Sequence, residues 1–156
     1  MRSVASVGEM MRARDDIAIV SKDVLVVRVV QLMVDVDVES VLVVDGYRRV
    51  VGSIGDEQLI ARAHARRAWS WRHLFAERDF EPDPSILDLS AGEVMLRRVV
   101  PVRPDLPLVS ALRLFDDHAV NVLPVLADGQ LMGALFRCDL VRQIFHPMPG
   151  SADSHT

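Results

Sequence analysis

The chain has 156 residues, half of them hydrophobic, and a formal net charge of −4 at pH 7. The apolar share points to a folded globular protein, and the charge gives no global pull toward nucleic acid or an anionic membrane surface. Cys138 is the only cysteine, which excludes an internal disulfide and a zinc site built on several thiolates, and suits a reducing compartment.

Met1 to Met11 has no apolar core and carries Glu9, so it does not read as a signal peptide. Val7-Gly8-Glu9-Met10-Met11 opens the ordered chain, followed by a short β run at Ile17-Ala18-Ile19-Val20. Asp23 to Met33 is rich in valine, which favours strands. Leu25, Val29, Leu32, Met33 and Val36 nevertheless fall on one helical face, and the segment is read as a helix. Arg28 and Asp35 keep this apolar stretch short of a bilayer span, so the expected location is the cytoplasm. Ser40 to Val44 is a strand, turning at Asp45-Gly46-Tyr47-Arg48-Arg49 into a second strand. A helix starts near Asp56 and runs through Leu59, Ile60 and Ala63 toward Ala68.

From Arg62 to Leu89 the chain is locally basic (Arg62, His64, Arg66, Arg67, Arg72, His73) and aromatic (Trp69, Trp71, Phe75), until Glu81-Pro82-Asp83-Pro84 ends any helix. Two readings stand for this connector: an anion or partner site, and a solvated helix face with a tryptophan closing the core. Ala91-Gly92-Glu93-Val94-Met95 follows, then a β run at Val99-Val100-Pro101-Val102. Asp105 is the expected N-cap of a helix with Pro107 in its first turn and Leu108, Ala111, Leu112 and Phe115 at helical spacing. Asn121 to Leu126 and Leu131 to Phe136 flank Asp128-Gly129, a strong two-residue hairpin signal because both positions accept φ > 0. Arg137-Cys138-Asp139-Leu140 opens a last helix through Val141, Ile144 and Phe145. Residues 147–156 read as a mobile tail.

The second half repeats the first. Gly-Glu-x-Met recurs at Gly8 and Gly92. Ser40 to Gly46 matches Asn121 to Gly129, with Glu39 and Ser40 as counterparts of Asn121. Gly52 to Leu59 matches Gly133 to Leu140. The expected organisation is repeat one over 1–68, a connector over 69–89, repeat two over 90–146, and the tail. Each repeat reads β-α-β-β-α, and one alone is too small to bury its sheet face.

This order of elements resembles the tandem CBS-domain pair, the Bateman module. Copy two supplies Val94-Met95, Val102, Pro104-Asp105, His118-Ala119-Val120, Leu123-Pro124-Val125, Asp128-Gly129 and Gly133 to Leu140. Copy one supplies Met11, Val20, Asp23, Val43 to Gly46 and Gly52 to Leu59. The resemblance implies an α/β fold of two β-α-β-β-α repeats packed about a pseudo-two-fold axis. It also implies a cleft between the repeats that takes an adenosyl compound such as AMP, ADP, ATP or S-adenosylmethionine as a regulatory ligand, with no required cofactor. In the family's Thr-x-x-Asp element the Asp holds both ribose hydroxyls, since a carboxylate accepts two hydrogen bonds at once, and the Thr or Ser helps hold phosphate at the helix N-terminus.

This chain departs from that element twice. Copy two keeps the Asp as Asp139 but has Phe136 for Thr; copy one has Gly55 for Thr and Gln58 for Asp. The ligand-binding candidates are Asp139, Arg137, Asn121, Val122 and Val102 in copy two, and Ile19, Ser40 and Gln58 in copy one. Asp139 has a second reading as a helix cap, Arg137 as a solvated charge, and Asn121 as a local backbone partner. Glu39 would repel a phosphate. Cys138, beside Arg137, reads as a redox thiol or as a small semi-buried filler.

The five histidines show no metal-ligand spacing, and no P-loop, G-x-G-x-x-G or G-x-S-x-G occurs, so the chain is not read as an enzyme. The helices after the hairpins carry Leu59, Ile60, Leu140, Val141, Ile144 and Phe145. The resemblance implies that these faces pair in a homodimer, the commonest oligomer. The expected function is a stand-alone module that relays a bound metabolite to a partner protein. The alternative is a ligand-free dimeric interaction scaffold with degenerate nucleotide motifs.

Overall fold

The computed structural model describes residues 5–65 and 84–145. The basic, tryptophan-containing part of the connector over 66–83 and the tail over 147–156 lie outside the described residues. The described elements are α1 (Val7–Met10), β1 (Arg12–Ala13), β2 (Ile19–Ser21), α2 (Val26–Val36), β3 (Ser40–Val44), β4 (Val50–Gly55), α3 (Asp56–Ala65), α4 (Ala91–Val94), α5 (Leu108–His118), β5 (Val122–Ala127), β6 (Gln130–Phe136) and α6 (Arg137–Phe145). This is a mixed α/β chain of two repeats, each a hairpin flanked by helices.

The compact units do not follow the repeat boundaries. One unit, here the copy-two unit, combines described residues of Met1–Ile17 with those of Val99–Thr156; the other, the copy-one unit, takes those of Ala18–Arg98. Each repeat therefore lends its opening segment to the other repeat's hairpin. In the copy-two unit, Val7 N–H donates to Leu106 O and Gly8 N–H to Pro104 O, both at 2.8 Å. In the copy-one unit, Ala91 N–H donates to Val24 O at 2.7 Å and Gly92 N–H to Lys22 O at 2.8 Å. Val7 and Ala91 are wholly buried there, and burying one valine side chain is worth about 1.5–3 kcal/mol. The exchange also gives the outer hairpin strand of each unit a partner, so its edge N–H and C=O groups are not all left open.

The sheets share one register. In the copy-two unit the order is β1-β6-β5, and in the copy-one unit β2-β3-β4. Val41 pairs with Ile54 and Leu123 with Leu135, and both hairpins carry a bulge at the same place, after Val43 and after Val125. The core of the copy-one unit gathers Val20, Val26, Val29, Val41, Val43, Ile54 and Val94.

Several sequence expectations shift. The β run at Val99–Val102 contracts to one parallel bridge, Val102 with Val125, because Pro101 and Pro104 have no N–H to give a ladder. Pro107, at φ −60° and ψ 141°, takes the cap position of α5 in place of Asp105. Asp105 instead pairs with Arg103 on the exposed surface. The valine-rich segment is a helix as expected, but its face is rotated: Val26 and Val29 are buried, while Leu25 and Val36 are exposed. Leu112 is likewise exposed, leaving Ala111 and Phe115 to anchor α5. The Asp128-Gly129 turn forms as predicted, with φ of 51° and 75°.

Candidate functional site

The copy-two junction is where β6 runs into α6. Arg137 N–H donates to Asn121 O at 2.9 Å, tying the start of α6 to the start of β5. Val122 pairs with Phe136, and both are buried. Asp139 lies in the first turn of α6, where unsatisfied N–H groups and the helix dipole favour a carboxylate. Arg12 of β1 reaches it with a two-pronged grip: Nε donates to Oδ2 at 2.8 Å and the terminal Nη2 to Oδ1 at 2.9 Å. The same guanidinium stands 4.9 Å from the centre of the Phe136 ring, a cation–π contact. Arg142 Nη1 lies 3.8 Å from Oδ1. Two arginines, Arg12 and Arg142, therefore flank one carboxylate, while the Arg137 side chain is exposed.

The copy-one junction has the same backbone and different chemistry. Ser40 pairs with Gly55, as Val122 pairs with Phe136, so Ser40 is the register counterpart of Val122, and Glu39 that of Asn121. This corrects the sequence alignment, which set both Glu39 and Ser40 against Asn121. Gln58 Oε1 accepts the Gly55 N–H at 2.7 Å and so caps α3. A Cβ on Gly55 would stand 3.1 Å from Ser40 Oγ and 3.3 Å from Gln58 Oε1, so the lack of a side chain keeps that spot open. Leu96 bridges to Ser53 as Arg12 pairs with Ala134, which makes Leu96 the counterpart of Arg12. Glu39, Asp56 and Glu57 make this junction acidic at its rim.

The structure brings Asp139, Arg137, Asn121 and Val122 together in one unit, and Ser40 and Gln58 in the other. Val102, opposite Val125, is the counterpart of Val20 opposite Val43, so Ile19 sits one residue out of step with it. Val102 and Val20 are buried, whereas Ile19 is half-buried, on the opposite side of its strand. Cys138 is half-buried. Sequence reasoning missed Arg12. Its signal is a difference between the copies: Arg follows Met11 where Leu follows Met95, in the same repeat comparison that sets Asp139 against Gln58. The Ser-x-x-Glu capping boxes also went unread; Glu9 accepts the Ser6 N–H at 3.0 Å and Glu93 the Ser90 N–H at 2.8 Å. Among the described residues no group of three His, Cys, Asp or Glu side chains could hold a metal ion, and no helix is long and apolar enough to cross a membrane.

The family model described as CBS domain matches residues 91–146, the whole of copy two. The fold of the full chain is similar to that of CBSX2 from Arabidopsis thaliana, solved in complex with AMP: TM-score 0.65, 26% identity, covering 90% of this chain and 96% of that one. Copy two matches the CBS domain, and the whole chain has the fold of a CBS pair. Its fold also matches a CBS-domain-containing protein from Agrobacterium tumefaciens, with TM-score 0.70 at 16% identity over 91% of this chain and 95% of that one. A putative acetoin utilization protein from Vibrio cholerae gives TM-score 0.69 at 19% identity over 99% and 100%. No curated protein matches the chain. In this chain, the repeat that the family model matches is the one that keeps the acidic residue of the strand–helix element.

Proposed function

We propose that this chain is a stand-alone regulatory module that binds an adenosyl or other anionic metabolite and passes the bound state to a partner protein. The observation that carries this reading is the copy-two junction. A carboxylate sits in the first turn of α6, held in a fixed orientation, flanked by two arginines suited to phosphate. The likeness to CBSX2, which is solved with AMP, supports the ligand class. Regulation then requires that the ligand bind two arrangements of the pair with different affinity. The role is that of a sensor and not of an enzyme.

A homodimer belongs to the same proposal. Ile60 on α3 and Val141, Ile144 and Phe145 on α6 are exposed, with Phe145 at 72%. The second reading, a ligand-free scaffold, is favoured by one observation: Asp139 and Gln58 are both already engaged, by Arg12 and by the Gly55 N–H.

The deciding experiment is a thermal-shift panel with AMP, ADP, ATP, S-adenosylmethionine and NAD on wild type and Asp139→Ala. A ligand at about a hundred times its Kd adds roughly 2.7 kcal/mol, enough to raise Tm by several degrees. The sensor reading expects a shift with at least one ligand that disappears in Asp139→Ala. No shift with any of them moves the assignment to the scaffold.

A further inference from the structure

We propose that Arg12 sets the ligand rule of the copy-two junction: it reserves Asp139 for a ligand that brings an anionic group able to take Arg12 over. This rests on the reading that an adenosyl ligand binds at that junction, and it goes further by assigning the residue that selects among such ligands. Both carboxylate oxygens of Asp139 accept from Arg12, at 2.8 and 2.9 Å, and the pair is partly shielded, with side chains 30% and 20% exposed. A ribose diol offers two neutral O–H donors. Its bonds to the carboxylate carry one charge where those of the arginine fork carry two, and displacing Arg12 leaves a partly shielded guanidinium without its ion partner, so the diol alone does not displace it. A phosphate does compete, because the arginine fork fits it as well as it fits a carboxylate.

Phe136 then has a positive role. Its ring removes the hydroxyl donor that the family element places there, but it seats the Arg12 guanidinium 4.9 Å from its centre, which brings donors back to the same spot. The position of Arg12 is fixed from behind, since β1 pairs with β6 through Ala134 and Gly133. When phosphate draws Arg12 away, Asp139 is left with both oxygens open to the ribose, and Arg142, 3.8 Å from Oδ1, remains to balance its charge. At the copy-one junction the corresponding Leu96 imposes no such rule.

The test is calorimetric titration of adenosine and, separately, AMP into wild type, Arg12→Leu and Arg12→Leu/Asp139→Asn. Arg12→Leu copies the residue of the other unit. Wild type should prefer AMP over adenosine by at least about tenfold. Arg12→Leu should bind adenosine at least about tenfold more tightly than wild type does, bringing the AMP preference toward parity, and Asp139→Asn should cancel that gain. Should Arg12→Leu fail to fold, Arg12→Lys keeps the charge without the fork and should show a smaller adenosine gain. Wild type that binds AMP, with an Arg12 variant that gains nothing for adenosine, overturns this rule and leaves the sensor reading standing. Wild type that binds neither ligand, with a variant that binds adenosine through Asp139, overturns the rule, because the phosphate then fails to take Arg12 over. Binding by none of the proteins overturns the rule, and the five-ligand thermal-shift panel then decides the sensor reading.

Discussion

In the copy-two unit three positions that meet hold Arg12, Phe136 and Asp139; in the copy-one unit the same register positions hold Leu96, Gly55 and Gln58. The first set is a charged pair stacked on a ring, and the second is apolar, empty and neutral. What the backbone demands is kept in both units: the bulge, the paired strands and the glycine that lets the exchanged segment approach. The three chemical positions differ as a set. An Asp139 without Arg12 would keep only the longer contact to Arg142, and an Arg12 without Asp139 would lose its anchor. The repeat thus shows which features serve the fold and which serve the site.

The largest expected effect comes from breaking what the units share. A Cβ on Gly133 would overlap the Arg12 carbonyl oxygen, a backbone atom that cannot step aside. At the equivalent Gly52 it would meet Met95 Sδ at 2.6 Å, which can swing away, and Leu96 O at 2.7 Å, a backbone overlap smaller than the one at Gly133. Gly133→Ala should cost about 3 kcal/mol and Gly52→Ala about 1–2 kcal/mol, read from urea unfolding midpoints. Equal losses would mean that the exchanged segments are held alike in the two units.

A smaller effect sharpens the difference between the junctions. Asp139→Ala removes two charge-assisted bonds at a partly exposed site, for about 1–2 kcal/mol. Gln58→Ala removes one neutral cap bond, for about 0.5–1.5 kcal/mol. The two are separated by salt: raising it to about 1 M should shrink the Asp139 effect and leave the Gln58 effect in place.

Element types and the repeat could be read from the sequence because they rest on local rules. Asp128-Gly129 dictates its turn, and the helical spacing of Leu108, Ala111 and Phe115 outweighs any strand preference. The β run over Val99–Val102 could not be read correctly, because strand length depends on the partner that Pro101 and Pro104 deny it. The exchange of opening segments was hidden for a different reason. It is a choice between two equivalent hairpins, and Gly8 or Gly92 would suit either. Asp139 was legible as a candidate from its motif. Arg12, 127 residues away in sequence, was not, since only the pairing of β1 with β6 brings it there.

The two hairpin turns give the smallest and most local contrast. Asp128-Gly129 closes its hairpin through backbone conformation alone, with both residues at positive φ. The copy-one loop is longer and is built around Asp45, whose Oδ1 accepts the N–H groups of Tyr47 at 2.9 Å and Arg49 at 3.0 Å, while Oδ2 takes Arg49 Nε at 3.1 Å. The Arg49 backbone N–H, then that of Tyr47 and the Arg49 charge, hold the Asp45 carboxyl below its ordinary value against the opposite push of burial. A carboxyl whose pKa is lower folded than unfolded stabilises fully above its unfolded value, and that stabilisation is lost as pH falls through the folded one. Asp45→Asn should therefore lower stability at neutral pH, and its difference from wild type should shrink on acidification through that window. Asp128→Asn should shift stability at neutral pH by less than about 0.5 kcal/mol, since Asn accepts the same positive φ. A difference for Asp45→Asn that stays constant with pH would mean that the loop is held by its backbone, like its counterpart, and not by its charge.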